Sequence, residues 1–169
     1  MASEVTKSNL LMNSWQNVYD LINNKSNVSD PTTSSSVYRK WIYSREPDVK
    51  ANDFTGFPYI IINPSTLTFD NSQTGNSQIQ NINWTIEIEV VTSDRGFNNQ
   101  NGKGQTHNDA ISDDILETLN NSTNRNTLRD NGLYFFKPNI TAVNVEEFSN
   151  TLIYRRSFLV GFRSKKKVF

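Results

Sequence analysis

No cysteine occurs in the chain, which excludes disulfides, thiolate nucleophiles and cysteine-based zinc sites. Histidine is nearly absent too. His107 is the single copy, and one imidazole without thiols leaves only carboxylates to complete a metal or acid–base site. No sign of charge prevails: 17 Lys+Arg balance 17 Asp+Glu, for a formal net charge of +0. A chain so balanced has no broad field to steer it onto nucleic acid or an anionic membrane. Long apolar runs are missing. Tyr59-Ile60-Ile61-Ile62 is among the longest and is far too short to span a bilayer. Met1-Ala2-Ser3-Glu4 lacks the basic region and apolar stretch of a signal peptide. Hydrophobic residues reach only 35%, a low share for a globular protein. Asn, Ser and Thr fill the deficit rather than charge. The 169 residues still suffice to bury a core without disulfides or metals, and they fit one domain over 1–169.

What is present is a set of periodic segments. Leu11, Trp15, Val18 and Ile22 recur at helical spacing and predict an amphipathic helix from about Ser3 to Asn24. A polar loop follows from Lys25 to Ser36. Val37 to Ser44, with Tyr38, Trp41, Ile42 and Tyr43, reads as a strand. Phe57-Pro58-Tyr59-Ile60-Ile61-Ile62 is continuously apolar, so both its faces should be covered. Pro58 belongs at the start of the strand or at an edge, and Asn63-Pro64-Ser65 should break or bend it. Asp70 to Ser77, with Gly75-Asn76, reads as a hairpin turn. The next strand alternates cleanly. Ile82, Trp84, Ile86, Ile88 and Val90 face one way; Asn83, Thr85, Glu87 and Glu89 face the other.

Residues 94–107 form a Gly/Asn/Gln-rich stretch with almost nothing to bury but Phe97. A loop of that length in a compact domain is disordered or functional, so Gly96, Phe97, Gly102, Lys103 and Gly104 are candidate interface residues. Ile111, Ile115 and Leu119 predict a second helix over about Asn108 to Asn120, capped by Asn108 or Asp109. A short helical turn around Arg125 to Arg129 stops at Gly132. The end reads as a hairpin. One arm runs from Leu133 to Val145 with a kink at Pro138, Glu146 to Asn150 make the turn, and Thr151 to Arg163 make the other arm. Arg156 lies on the apolar face of that second arm and is its anomaly. A short basic tail occupies 164–169. The element order predicts an α+β fold: an antiparallel or mixed β-sheet from long hairpins, packed against an N-terminal and a central helix.

Little here carries catalytic chemistry. His107 is a lone imidazole in a chain without cysteine. Gly102-Lys103-Gly104-Gln105-Thr106 lacks the spacing of a phosphate-cradling loop. Asp70, Glu87 and Glu89 on neighbouring strands suggest a metal-dependent nuclease, but Glu89 stands where such a core uses lysine to polarise the scissile phosphate. Glu87 and Glu89 read more simply as the polar face of an amphipathic strand. No metal or other cofactor is expected, and no catalytic residue is assigned.

The Phe57–Ile62 run, the strand Trp84-Thr85-Ile86-Glu87-Ile88-Glu89-Val90, a loop with Asp and Gly, the helix Asp109 to Leu119 and the terminal hairpin together resemble the tail terminator (tail completion) proteins of long-tailed phages. The resemblance in element order covers nearly the whole chain. It implies a homo-oligomeric ring, usually a hexamer, at the head-proximal end of the tail tube. Such a ring ends tube polymerisation and joins the tail to the head connector or stopper protein. The implied setting is the virion, after assembly in the host cytoplasm. The implied partners are the tail tube protein, the connector, and DNA that passes through without sequence-specific binding; no membrane is involved. Under this resemblance the 94–107 loop and the terminal hairpin make contacts, and Glu87 and Glu89 line the lumen. A head-completion or connector (neck) protein on the other side of the same joint is the alternative.

Overall fold

The computed structural model describes residues 10–32, 39–52, 54–70, 79–95, 104–135 and 138–167. Two long strands make its spine. β3 (Ile79–Ser93) and β7 (Thr151–Lys167) pair antiparallel from Ile79↔Lys167 to Ser93↔Ile153. β2 (Tyr59–Asp70) lies antiparallel on the other flank of β3, and the two-residue β1 (Ile42–Tyr43) lies parallel on β2. Three short strands follow one another along the outer side of β7: β4 (Tyr134–Phe135), β5 (Asn139–Ile140) and β6 (Asn144–Phe148). Among the described residues this is a mixed seven-stranded sheet of order β1-β2-β3-β7-β4, with β5 and β6 also on β7. Three helices accompany it: α1 (Leu10–Ile22), α2 (Gly104–Asn120) and α3 (Ser122–Asp130). The architecture is α+β.

Alternation decides which face is buried. Ile82, Trp84, Ile86, Ile88 and Val90 of β3 and Phe158, Val160 and Phe162 of β7 form one core with Val18 and Ile22 of α1, Ile111, Ile115 and Leu119 of α2, and Leu128 of α3. The apolar run of β2 is covered on both faces, as its composition requires. Ile60 and Ile62 join the core under the helices, while Tyr59 and Ile61 join a second cluster with Val91 and Ile153, covered by Tyr43, Phe54 and Phe57. Pro58 immediately precedes β2, and the β2–β3 register shifts between Pro64 and Thr66, which is the expected bend. The hairpin-turn residues 71–78 lie outside the described residues.

Several boundaries differ from expectation for identifiable reasons. The strand expected over Val37 to Ser44 shrinks to Ile42–Tyr43 within the described part. Arg39, just before it, is buried instead as a clamp, donating to Asp30 (2.5 Å) and to the carbonyls of Gly56 (2.9 Å) and Pro58 (2.5 Å). α2 starts at Gly104, ahead of the expected Asn108. Its first turns are anchored by polar contacts that leave no apolar stripe. Thr92 Oγ1 donates to Gly104 O (2.7 Å), and Asn108 Nδ2 donates to Val90 O (3.1 Å) and Tyr154 O (3.2 Å). Asn108 is therefore a buried clamp between helix and sheet, not a cap. Asn121 caps α3 by accepting from the Thr123 and Asn124 N–H groups. α3 ends where Gly132 N donates to Arg129 O and Leu133 N to Leu128 O. That pattern is a Schellman motif, with Gly132 at φ 83° and Leu128 and Leu133 both buried.

The final hairpin turn is tighter than expected. β6 runs on to Phe148, and Ser149 (φ 49°) and Asn150 (φ 59°) alone make the turn. Two positive φ values in a two-residue connection are type I′ geometry, which matches the twist of the strands. Residues 164–167 are not a free tail, because they continue β7 against β3. There Ser164 is buried and accepts from Trp84 Nε1 (2.9 Å). Arg156 is explained by α2: it donates to Asp109 Oδ1 at 2.6 Å, so its charge meets a partner where the helix crosses the strand.

Candidate functional site

The sheet face away from the helices is built from the alternate residues of the same strands. At one end the segment carrying Tyr43, Phe54 and Phe57 folds over it. The rest is polar and only partly covered. Asn81, Asn83, Thr85 and Glu87 of β3 lie in register with Lys165, Arg163, Gly161 and Leu159 of β7. Apart from Lys165, whose side chain is outside the described residues, these are partly or fully exposed. Arg163 Nε reaches Asn83 Oδ1 at 3.4 Å. Two amides and a hydroxyl share this surface with charged groups, which suits hydrogen bonding to a partner.

Arg155 organises the boundary between the covered and open parts. Its guanidinium donates to Glu46 (2.9 and 3.3 Å) and Glu89 (3.2 Å). Its Nε lies 3.6 Å from Glu146, too far for a hydrogen bond. The loop after β1, strand β3 and strand β6 thus converge on one cation. Tyr59 OH completes the cluster by donating to Glu46 Oε1 at 2.7 Å. Burial pushes the Glu46 carboxyl up, but the hydrogen bonds from Arg155 and Tyr59 and the Arg155 charge together outweigh it and leave its pKa lowered. At Glu89 burial prevails over Arg155, and the pKa is raised. Burial, followed by the bond to Glu46, holds Tyr59 well above its usual value, so it remains a donor. The bond to Glu46, against the cost of burial, holds Arg155 above its usual value.

The margins of the sheet differ from its faces. Of the large hydrophobics that stay exposed among the described residues, Tyr134, Ile140, Val145, Phe148, Leu152 and Leu159 belong to β4–β7; Val49 is the other. Val145 and Phe148 are 50% and 53% exposed, and every residue of β6 is exposed. Nothing described pairs with the outer side of β4, β5 or β6. At the opposite margin β1 pairs only with Ile60 and Ile61. Trp15 Nε1 takes the next carbonyl, Ile62 O, at 2.6 Å. Beyond it, among the described residues, Asn63 to Asp70 has strand pairing on the β3 side alone. Unpaired margins of this kind are templates for another chain.

The sequence-derived candidates separate in space. Gly96, Phe97, Gly102 and Lys103 lie outside the described residues. Gly104 is not a loop residue but the buried first residue of α2, where a Cβ would meet the Tyr154 ring at 2.3 and 2.6 Å. His107 is likewise in α2 rather than in a loop. Of the two glutamates assigned to a lumen, Glu89 is held by Arg155, while Glu87 sits on the open stretch. The nuclease trio is not assembled. Glu87 and Glu89 pair with Asn63 and Ile61, but Asp70 pairs with Asn81, roughly 20 Å along the strand from Glu87. Among the described residues no three His, Asp or Glu side chains form a group that could hold a metal ion. Nor is any described helix long and apolar enough to cross a membrane. Sequence reasoning missed the Arg155 cluster and the apolar margin. Only the excess of aliphatic and aromatic residues in the terminal hairpin hinted at the latter. No protein-family model matches the chain, and no curated protein matches it.

Proposed function

We propose that this chain is a virion structural protein: a subunit of a ring that caps the head-proximal end of a phage tail tube, ends its polymerisation and joins it to the head connector. The observation that carries the reading is the pair of unlike unpaired sheet margins. One is the exposed strand β6, which presents Val145 and Phe148 beside Glu146 and Glu147, with its neighbours Ile140 and Leu152; the other is β2 from Asn63 to Asp70. Two different margins on one subunit favour head-to-tail contacts, which close into a ring when the rotation closes. A formal net charge of +0 also spares several copies mutual repulsion. The resemblance of the element order to tail terminators is what supports a position in the virion.

The test is light scattering and negative-stain electron microscopy of the purified chain, followed by its addition to a tail-tube polymerisation assay. A closed ring that halts tube growth is the expected result. Val145→Glu with Phe148→Glu should give monomers that remain folded by circular dichroism, since both side chains are exposed in the single subunit. A wild-type monomer at assembly concentrations, or one that cuts DNA with magnesium, would refute the reading. A ring that binds head connectors but leaves tube growth unaffected would favour the neck protein instead.

A further inference from the structure

Sequence order separates an aromatic side chain from the arginines that the fold gathers beside it. Arg125 and Arg129 stand four residues apart on α3, so they share one side of the helix. The Schellman turn through Gly132 leads directly from α3 into β4 and sets Tyr134 next to them. With Asn120, Ser122 and Asn126 these residues line a surface cavity of about 360 Å³. All six lining side chains carry a hydrogen-bond donor, and none is a carboxylate. Tyr134 is 36% exposed, and its register partner Arg163, on the same face of the sheet, is exposed as well.

The neighbouring acid, Asp130, lies 3.9 Å from Arg129 with side-chain exposures of 73% and 55%. A pair that open to water holds its arginine weakly. The helix terminus is not the attracting group, because Asn121 already accepts the N–H groups of Thr123 and Asn124. The cavity sits at the β4 end of the margin. β6 pairs eight residues further along β7, roughly 25 Å away, so a contact through β6 leaves the cavity open.

We propose that this cavity is a subsite for the phosphodiester backbone of a nucleic-acid strand, with Arg125 and Arg129 on phosphate oxygens and the Tyr134 ring against a base. Guanidinium forks match phosphate geometry, and an aromatic beside a cationic groove is how single strands are held without sequence preference. Because the whole chain carries a formal net charge of +0, the attraction is local, and binding is weak and strongly salt-dependent. The inference stands whether or not the chain closes a ring.

Fluorescence anisotropy with a labelled mixed-sequence single-stranded oligonucleotide tests it on the full chain. Each phosphate contact contributes about 0.7 to the slope of log affinity against log salt. Wild type should therefore lose about sevenfold more affinity than R125Q/R129Q between about 50 and about 200 mM salt. R125K/R129K should restore the slope. Tyr134→Ala should lose about fivefold or more with the slope unchanged. Equal affinity and slope for wild type and R125Q/R129Q, with both folded by circular dichroism, would overturn the proposal. So would an NMR response of the Arg129 region to inorganic phosphate without any binding of the oligonucleotide.

Discussion

Arg155→Met replaces the cation at the boundary of the open face with an apolar chain of similar reach, and its consequences follow from the geometry. The bond to Glu89 joins side chains that are 22% and 21% exposed, so its loss costs about 1.5–3 kcal/mol, the range for a charged hydrogen bond. Glu46 is 49% exposed, and its share is reduced to a surface value of about 0–1 kcal/mol. The contact with Glu146, at 3.6 Å and 52% exposure, adds nothing measurable. The sum is about 1.5–4 kcal/mol, or about 3–16 °C in melting temperature for a chain of this size.

The pH dependence is the sharper readout. In the wild type Glu46 has a lowered pKa, so its contribution is present above the unfolded value and is lost as pH falls through the folded one. Glu89 has a raised pKa, so its contribution is present below the unfolded value and is lost as pH rises through the folded one. The two act in different windows, Glu46 below the ordinary carboxyl value and Glu89 above it. Without Arg155, burial is the largest influence on both carboxyls and only the Tyr59 bond opposes it at Glu46. Both groups then behave as Glu89 does, and the variant gains stability as pH falls from 7 toward 5. Urea unfolding followed by the fluorescence of Trp15, Trp41 and Trp84 at the two pH values measures this. A loss under about 1 kcal/mol, or a variant that keeps the wild-type pH slope, would refute the reasoning.

Two further perturbations probe how α2 and β2 are held. Gly104→Ala should destabilise by about 1–3 kcal/mol despite alanine's better helix propensity, because its Cβ would press on the Tyr154 ring. The loss should largely vanish in a Tyr154→Ala background, as thermal melts of the double-mutant cycle will report. Arg39→Ala should cost about 3–5 kcal/mol in urea unfolding. It strands the Asp30 carboxylate and the Gly56 and Pro58 carbonyls beneath side chains only 3% and 6% exposed. Arg39→Met combined with Asp30→Leu should recover the part owed to the stranded carboxylate but not the part owed to the Gly56 and Pro58 carbonyls.

Where burial alone shapes a segment, its sequence was readable. The unbroken apolar run at Tyr59–Ile62 announced a strand covered on two faces, and the alternation from Ile82 to Val90 announced one core-facing side. Polar anchoring was not readable. The first turn of α2 is Gly-Gln-Thr-His, held by a threonine hydroxyl and an asparagine amide rather than by apolar packing. Periodicity has nothing to detect there. The Arg155 cluster escaped for another reason: Glu46 lies 109 residues from Arg155 in sequence, and a charge gives no sign of which distant charge will meet it. The terminal hairpin is legible, but its first arm reads as one kinked strand. Alternation is blind to single-residue insertions that leave the general direction unchanged.

Those insertions give the margin a metre. From Phe135↔Phe162 to Asn139↔Leu159 the margin advances four residues while β7 advances three, and from Ile140↔Phe158 to Asn144↔Arg155 it does so again. At the second break the Ser157 N–H is met by the Thr141 hydroxyl rather than by a carbonyl. The row of outward donors and acceptors is therefore syncopated, and a regular extended peptide falls out of step with it after a few residues. Only a strand with breaks at the same intervals can follow it from end to end. Indiscriminate stacking is blocked by rhythm as well as by the exposed charges of Glu146 and Glu147, and deleting a single residue within 141–143 would change which strands can keep time with it.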